Sequence, residues 1–173
     1  MSIARYYKIG VFDTSTPLAT GASVTSTTPA AILVGHTTAT NDANVSAVRA
    51  SALGASTFPA NASFAASLNV ATGSLSGGNS ATAYQIGGGG VTLAANTLFW
   101  TAGGTSASAI SGLTLGQFLW SQEIPFTAGA NWGEWYTPGF EINVHASSTF
   151  ALYITESSAG TGTTFTGEIE FTE

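Results

Sequence analysis

The chain has 173 residues, a formal net charge of −6 and only 7% charged residues, against about 25% in ordinary soluble domains. It has no cysteine, so disulfides and thiolate-bound metals are excluded. Its three cations, Arg5, Lys8 and Arg49, are too few and too scattered to neutralise a phosphate backbone, which excludes nucleic acid as a direct ligand.

In chain order, a first strand is expected near 5–12. A Thr/Ser-rich stretch with two prolines and little apolar content, 13–29, follows as a linker. Residues 1–29 therefore read as an N-terminal arm and linker before a domain at 30–173. The beginning of that arm is either an edge strand of its own domain or a contact with a neighbouring subunit. Further strands are expected near 30–38, 64–70, 82–86, 91–100 and 117–124. The Ala-rich segments 43–54 and 60–71 admit a short helix, with Gly54 and Gly73 near the ends; Val45, Val48 and Val70 argue against it. The glycine-rich stretch 71–90 reads as loop or linker around the 82–86 strand.

The C-terminal third carries the clearest pattern. Phe140–His145 alternates apolar with polar residues. Phe150, Leu152 and Ile154 share one face of a strand over 149–156, and Phe165, Ile169 and Phe171 share one face over 164–171. Such period-two alternation belongs to a sheet with one buried and one wet face. His145–Thr149 reads as a short hairpin connection and 157–163 as a longer one. About nine short strands between Gly, Pro, Ser and Asn turns predict an all-β antiparallel sandwich. No segment has the roughly 20 apolar residues of a membrane helix, and Met1–Lys8 has no signal-peptide core; the expectation is a cytoplasmically assembled protein with no membrane partner.

Catalytic patterns are weak. No G-x-S-x-G elbow occurs among the serines, and Gly87–Gly90 lacks the Lys-Ser/Thr of a phosphate loop. Glu123 and Glu134, flanking an aromatic-rich segment, are the one carboxylate pair suited to acid–base work. Glu141, Asn143 and His145 on one strand face, with Glu156 on an adjacent strand, are the one metal constellation, weighed against a plain solvated face. Two glycosylation sequons, Asn44-Val45-Ser46 and Asn61-Ala62-Ser63, are read as chance. No enzyme, metal or cofactor is expected. The most distinctive segment is Trp132-Gly133-Glu134-Trp135-Tyr136. Its aromatics cap the core, form a subunit interface or stack on a glycan.

The turn Pro138-Gly139 into Phe140–Val144, the connection into Phe150–Glu156 and the terminal Gly167–Glu173 resemble the end of jelly-roll head decoration (cement) proteins of tailed bacteriophages. The charge-poor Ala/Ser/Thr/Gly-rich remainder is similar in composition. The resemblance implies a jelly-roll-like β-sandwich with an extended N-terminal arm. It implies a virion protein on the capsid surface, a dimer or trimer, bound to the major capsid protein and using no cofactor. The interface residues expected on this reading are Tyr6, Tyr7, Ile9, Val11 and Phe12 in the arm, which would add a strand to a neighbour's sheet, and Trp132, Trp135 and Tyr136. The competing reading is a tail or fibre-tip protein that binds a host glycan; a cellular carbohydrate-binding module and an enzyme stand behind it.

Overall fold

A computed structural model describes residues 5–10, 30–53, 64–86, 94–102, 110–124, 132–136, 141–156 and 164–173. All regular elements there are strands: β1 (Tyr6–Gly10), β2 (Ala30–His36), β3 (Ala43–Leu53), β4 (Phe64–Ser76), β5 (Asn79–Ala81), β6 (Tyr84–Gln85), β7 (Leu98–Thr101), β8 (Ser111–Ile124), β9 (Trp132–Tyr136), β10 (Ile142–Val144), β11 (Thr149–Glu156) and β12 (Thr164–Thr172). They form two six-stranded sheets. The first sheet runs β10-β3-β12-β1-β6, with β9 also on β3. The second runs β5-β7-β2-β11-β4-β8.

The pairings show how the chain is wound. β1 pairs antiparallel with β12, β2 with β11, β3 with β9 and β10, and β4 with β8. The partners nest around the β4–β8 ribbon, first strand with last, second with second-last. Rolling such a long ribbon yields two facing sheets in jelly-roll order. β5, β6 and β7 are an insertion between β4 and β8. β6 extends the first sheet beside β1, and β7 extends the second beside β2.

The core lies between the sheets. Tyr7 and Ile9 of β1, Val45 and Val48 of β3, and Ile169 and Phe171 of β12 meet Ile32 and Leu33 of β2, Leu68 of β4, Phe99 of β7, and Phe150, Leu152 and Ile154 of β11. Phe99 sits edge-on to Phe150, with centroids 5.9 Å apart, and tilts against Phe171 at 5.3 Å, so the insertion supplies a ring that joins both sheets. Gly167 faces the opposite sheet and leaves room for two of its side chains. A Cβ there would lie 2.6 Å from Leu152 Cδ2 and 2.7 Å from Ile32 Cδ1.

Several expectations change at this level. Residues 43–53 are strand and the described part of 60–71 is strand β4; neither is helical. In β3 the inward residues are Ala43, Val45, Val48 and Ala50. The phase slips because Ser46 is an extra residue opposite Glu170 and Phe171, and its hydroxyl donates to Glu170 O at 3.3 Å. A bulge of this kind turns a two-residue period into an i, i+3 spacing that resembles a helix. Part of the 71–90 loop is the end of β4 together with β5 and β6. His145–Thr149 is a tight turn, with Ser147 at φ 58°, but it is no hairpin: β10 lies in the first sheet and β11 in the second. Tyr6–Gly10 is a strand of the sandwich itself, so the domain begins inside the segment assigned to the arm; 11–29 lie outside the described residues.

The outer face of the second sheet is closed by the chain's own ribbon. Ala31, Val34, Ala71, Ala151 and Tyr153 form a second apolar cluster, against which Leu75, Ile110 and Leu113 pack. The ribbon reaches back because it creases at Gly73 (φ +106°) and Gly112 (φ +78°), a region that L side chains rarely adopt. A Cβ on Gly73 would collide with Gly112 O, and one on Gly112 with Ser74 O.

Candidate functional site

The residues expected to touch a partner separate sharply. Tyr6 is 50% exposed, whereas Tyr7 and Ile9 are 3% and 4% exposed and belong to the protein's own core. Successive residues of a strand face opposite ways, so one strand cannot offer Tyr6 and Tyr7 to the same partner. β12 holds one edge of β1, and β6 holds the other at Tyr7 and Lys8, so neither edge is open to strand addition at those two residues. Val11 and Phe12 lie outside the described residues. Trp132, Trp135 and Tyr136 stand in β9, paired with Ala52, Arg49 and Val48 of β3; the placement of their side chains lies outside the description.

Around Tyr6 the structure assembles a patch that the sequence reading missed. Tyr7 pairs with Gln85 and Lys8 with Tyr84, and Ile86 N donates to Tyr6 O at 2.8 Å. This register puts Tyr6, Tyr84 and Ile86 on the outward face of the first sheet, because paired residues share a face. Tyr84 is 50% and Ile86 43% exposed. The signal was present as the apolar–polar–apolar run Tyr84-Gln85-Ile86, hidden among the glycines that follow it.

The same outward face holds the domain's main charge cluster. Glu168 of β12 has a side chain only 4% exposed. It accepts Lys8 Nζ of β1 at 2.9 Å, and Arg49 Nη1 of β3 lies 3.6 Å from its other oxygen. Two of the chain's three cations are thus committed to one buried carboxylate. The outer surface gains little positive charge from them.

A second exposed apolar group stands on β8. Among the described residues this strand is the end of its sheet and pairs with β4 alone. Its register against β4 shifts on both sides of the Asn69–Phe118 pair. Such bulges blunt an edge against strand addition and redirect a side chain. Phe118, between them, is 66% exposed, and nearby Leu115 is 37% exposed. The two apolar sites occupy opposite ends of the sandwich, because β12 lies over β2 while β3 approaches β8.

The remaining candidates for chemistry are distributed over both sheets. Glu123 is exposed on β8 of the second sheet, whereas Glu134 is carried by β9 of the first. Glu156 pairs with Phe64 of β4 and is not on a strand adjacent to β10, contrary to the metal constellation considered above. Glu141, Asn143 and His145 are exposed. Asn143 Nδ2 instead donates to Asn44 Oδ1 at 2.7 Å and to Asp42 Oδ2 at 3.3 Å. Asp42 Oδ1 also accepts Ala146 N at 2.8 Å, which fixes the β10–β11 turn. The Ala146 amide, followed by the Asn143 amide and His145, holds the Asp42 carboxyl below its ordinary value. Among the described residues no group of three His, Asp or Glu side chains is placed to hold a metal ion.

No family model, curated protein or solved structure matches this chain.

Proposed function

We propose that the chain is a virion structural protein: a decoration (cement) subunit that binds the outer surface of a phage head and stabilises contacts between major capsid subunits. The observation that carries this reading is the pair of exposed apolar sites at opposite ends of one rigid sandwich, Tyr6–Tyr84–Ile86 on the first sheet and Leu115–Phe118 on the second. Large aromatics that a monomer leaves in water are characteristic anchors of protein interfaces. Two such sites on one body allow it to touch two neighbours at once, which is what bridging requires. A charge-poor surface supports the same reading, since interface centres are depleted of charge.

The mechanism is mass action. A subunit that binds only the assembled shell lowers the free energy of that shell, and repetition by symmetry turns a modest contact into firm attachment. The test is co-sedimentation of the purified chain with phage heads from which decoration has been stripped. Wild type is expected to pellet with the heads, and Tyr6→Ser/Tyr84→Ser and Phe118→Ser are each expected to lose occupancy while remaining folded. Undiminished occupancy of both variants would reject the bridging role.

A further inference from the structure

The creased β4–β8 ribbon does more than cover the second sheet. Beside the apolar cluster it leaves a hollow of about 370 Å³, lined by Val34 and His36 of β2, Trp100 of β7, Thr149 of β11, Leu75 and Leu113 of the ribbon, and the glycines Gly73 and Gly77. This lies in the range of about 300–1,000 Å³ typical of small-ligand sites, which are mainly apolar with a few placed polar groups.

We propose that this hollow binds a neutral pyranose sugar, stacked on Trp100 and hydrogen-bonded by His36 and Thr149. The proposal is independent of the decoration role. Three features of the lining select the ligand. Among the described residues its lining contains no Asp, Glu, Lys or Arg, so a phosphate, a carboxylate or an ammonium group would be desolvated there without a counter-charge. Its apolar walls include a half-buried indole, suited to the apolar face of a ring rather than to a flexible chain. Its polar groups are few and oriented. His36 Nδ1 and Thr149 Oγ1 are hydrogen-bonded at 2.9 Å, which fixes the imidazole and leaves Nε2 as its remaining polar atom. A ring with one apolar face and a rim of hydroxyls matches that combination.

The hollow exists because of the crease. Trp100 and His36 are neighbours through the β2–β7 pairing, in which Val34 faces Trp100 and His36 faces Leu98. The ribbon supplies the opposite wall by folding over them, and the absence of side chains at Gly73 and Gly77 leaves room for a ligand.

Saturation-transfer NMR on the full chain tests this with methyl β-D-glucopyranoside, methyl β-D-galactopyranoside, methyl α-D-mannopyranoside and the methyl glycoside of N-acetylglucosamine, with glucuronate as the charged comparison. At least one neutral glycoside is expected to bind and glucuronate to bind more weakly than its neutral parent. Trp100→Ala is expected to weaken binding about ten-fold or more, equivalent to about 1.4 kcal/mol. Gln122→Ala, exposed on β8 and outside the hollow, is expected to bind as wild type. If Trp100→Ala does not fold, Thr149→Val, which keeps the shape and removes the hydroxyl, carries the test through its own loss of affinity. Silence from all four neutral glycosides, binding that survives every folded hollow variant, or equal binding of glucuronate would overturn the proposal.

Discussion

The two sheets share one core but treat their outer faces differently. The second sheet covers much of its outer face with its own chain: Leu75, Ile110 and Leu113 of the creased ribbon lie on Ala31, Val34, Ala71, Ala151 and Tyr153. The first sheet has a buried ion cluster around Glu168 and exposed rings at its β6 end. The second sheet buries apolar side chains under its own ribbon, and the first leaves Tyr6, Tyr84 and Ile86 exposed.

The largest effect is expected in the shared core. Phe171 is fully buried and packs against Tyr7 and Phe99, so Phe171→Ala should cost about 3–5 kcal/mol of stability in urea unfolding. Leu113, partly exposed in the ribbon cluster, should cost roughly 1–2 kcal/mol as Leu113→Ala, since less surface returns to water. Equal losses would mean that the ribbon is as integral as the core.

Next comes the ion cluster. Glu168→Gln removes the buried carboxylate that Lys8 and Arg49 share, and the expected loss is about 1–2 kcal/mol, below that of a fully buried pair. The two cations are partly exposed, at 39% and 31% of their side chains, and water can soften the loss. A loss below about 1 kcal/mol would place the cluster with ordinary surface pairs.

The covered face contains unmet polar groups. Among the described residues, Asn69 is fully buried with no bond to either amide atom, and the Tyr153 hydroxyl is buried with no bond. Tyr153→Phe should therefore raise stability by about 1 kcal/mol. Burial also lifts the Tyr153 phenol above its ordinary 10.0. Its stabilising neutral form is complete below that value and is lost as pH rises through the higher folded one, because the unfolded chain releases the proton first. Tyr153→Phe should flatten this alkaline decline in a thermal melt series. Asp42 acts in the opposite direction. Its carboxyl is held below 3.8, so its contribution is present above that value and fades as pH falls through the lower folded one. Asp42→Asn should remove that acid-side slope. The smallest stability effects belong to the exposed rings: Tyr6→Ser and Tyr84→Ser should each shift stability by no more than about 0.5 kcal/mol.

The fold class was legible where alternation runs unbroken. β11 reads directly, because Phe150, Leu152 and Ile154 face inward without interruption. β3 did not, because the bulge at Ser46 gives its inward residues a helical spacing and its small alanines carry no strand signal. The β10–β11 turn could be located but not interpreted: nothing local distinguishes a turn that pairs two strands from one that carries the chain to the opposite sheet. Of the arm residues, Tyr6 is exposed and Tyr7 and Ile9 are buried; which face of that strand turns inward depends on β12, more than 150 residues away in sequence. Nothing local in the sequence joins Trp100 to His36, because only the fold brings them beside the ribbon.

The central claim is that Tyr6 and Tyr84 are held outward for a protein partner. Hydroxyl-radical footprinting of the tyrosines, on the free chain and on the native particle that contains it, tests this directly. In the free chain Tyr6 and Tyr84 should be modified readily while Tyr7 and Tyr153 are spared, and in the particle Tyr6 and Tyr84 should become protected. Equal modification of Tyr6 and Tyr84 in both states would contradict the account.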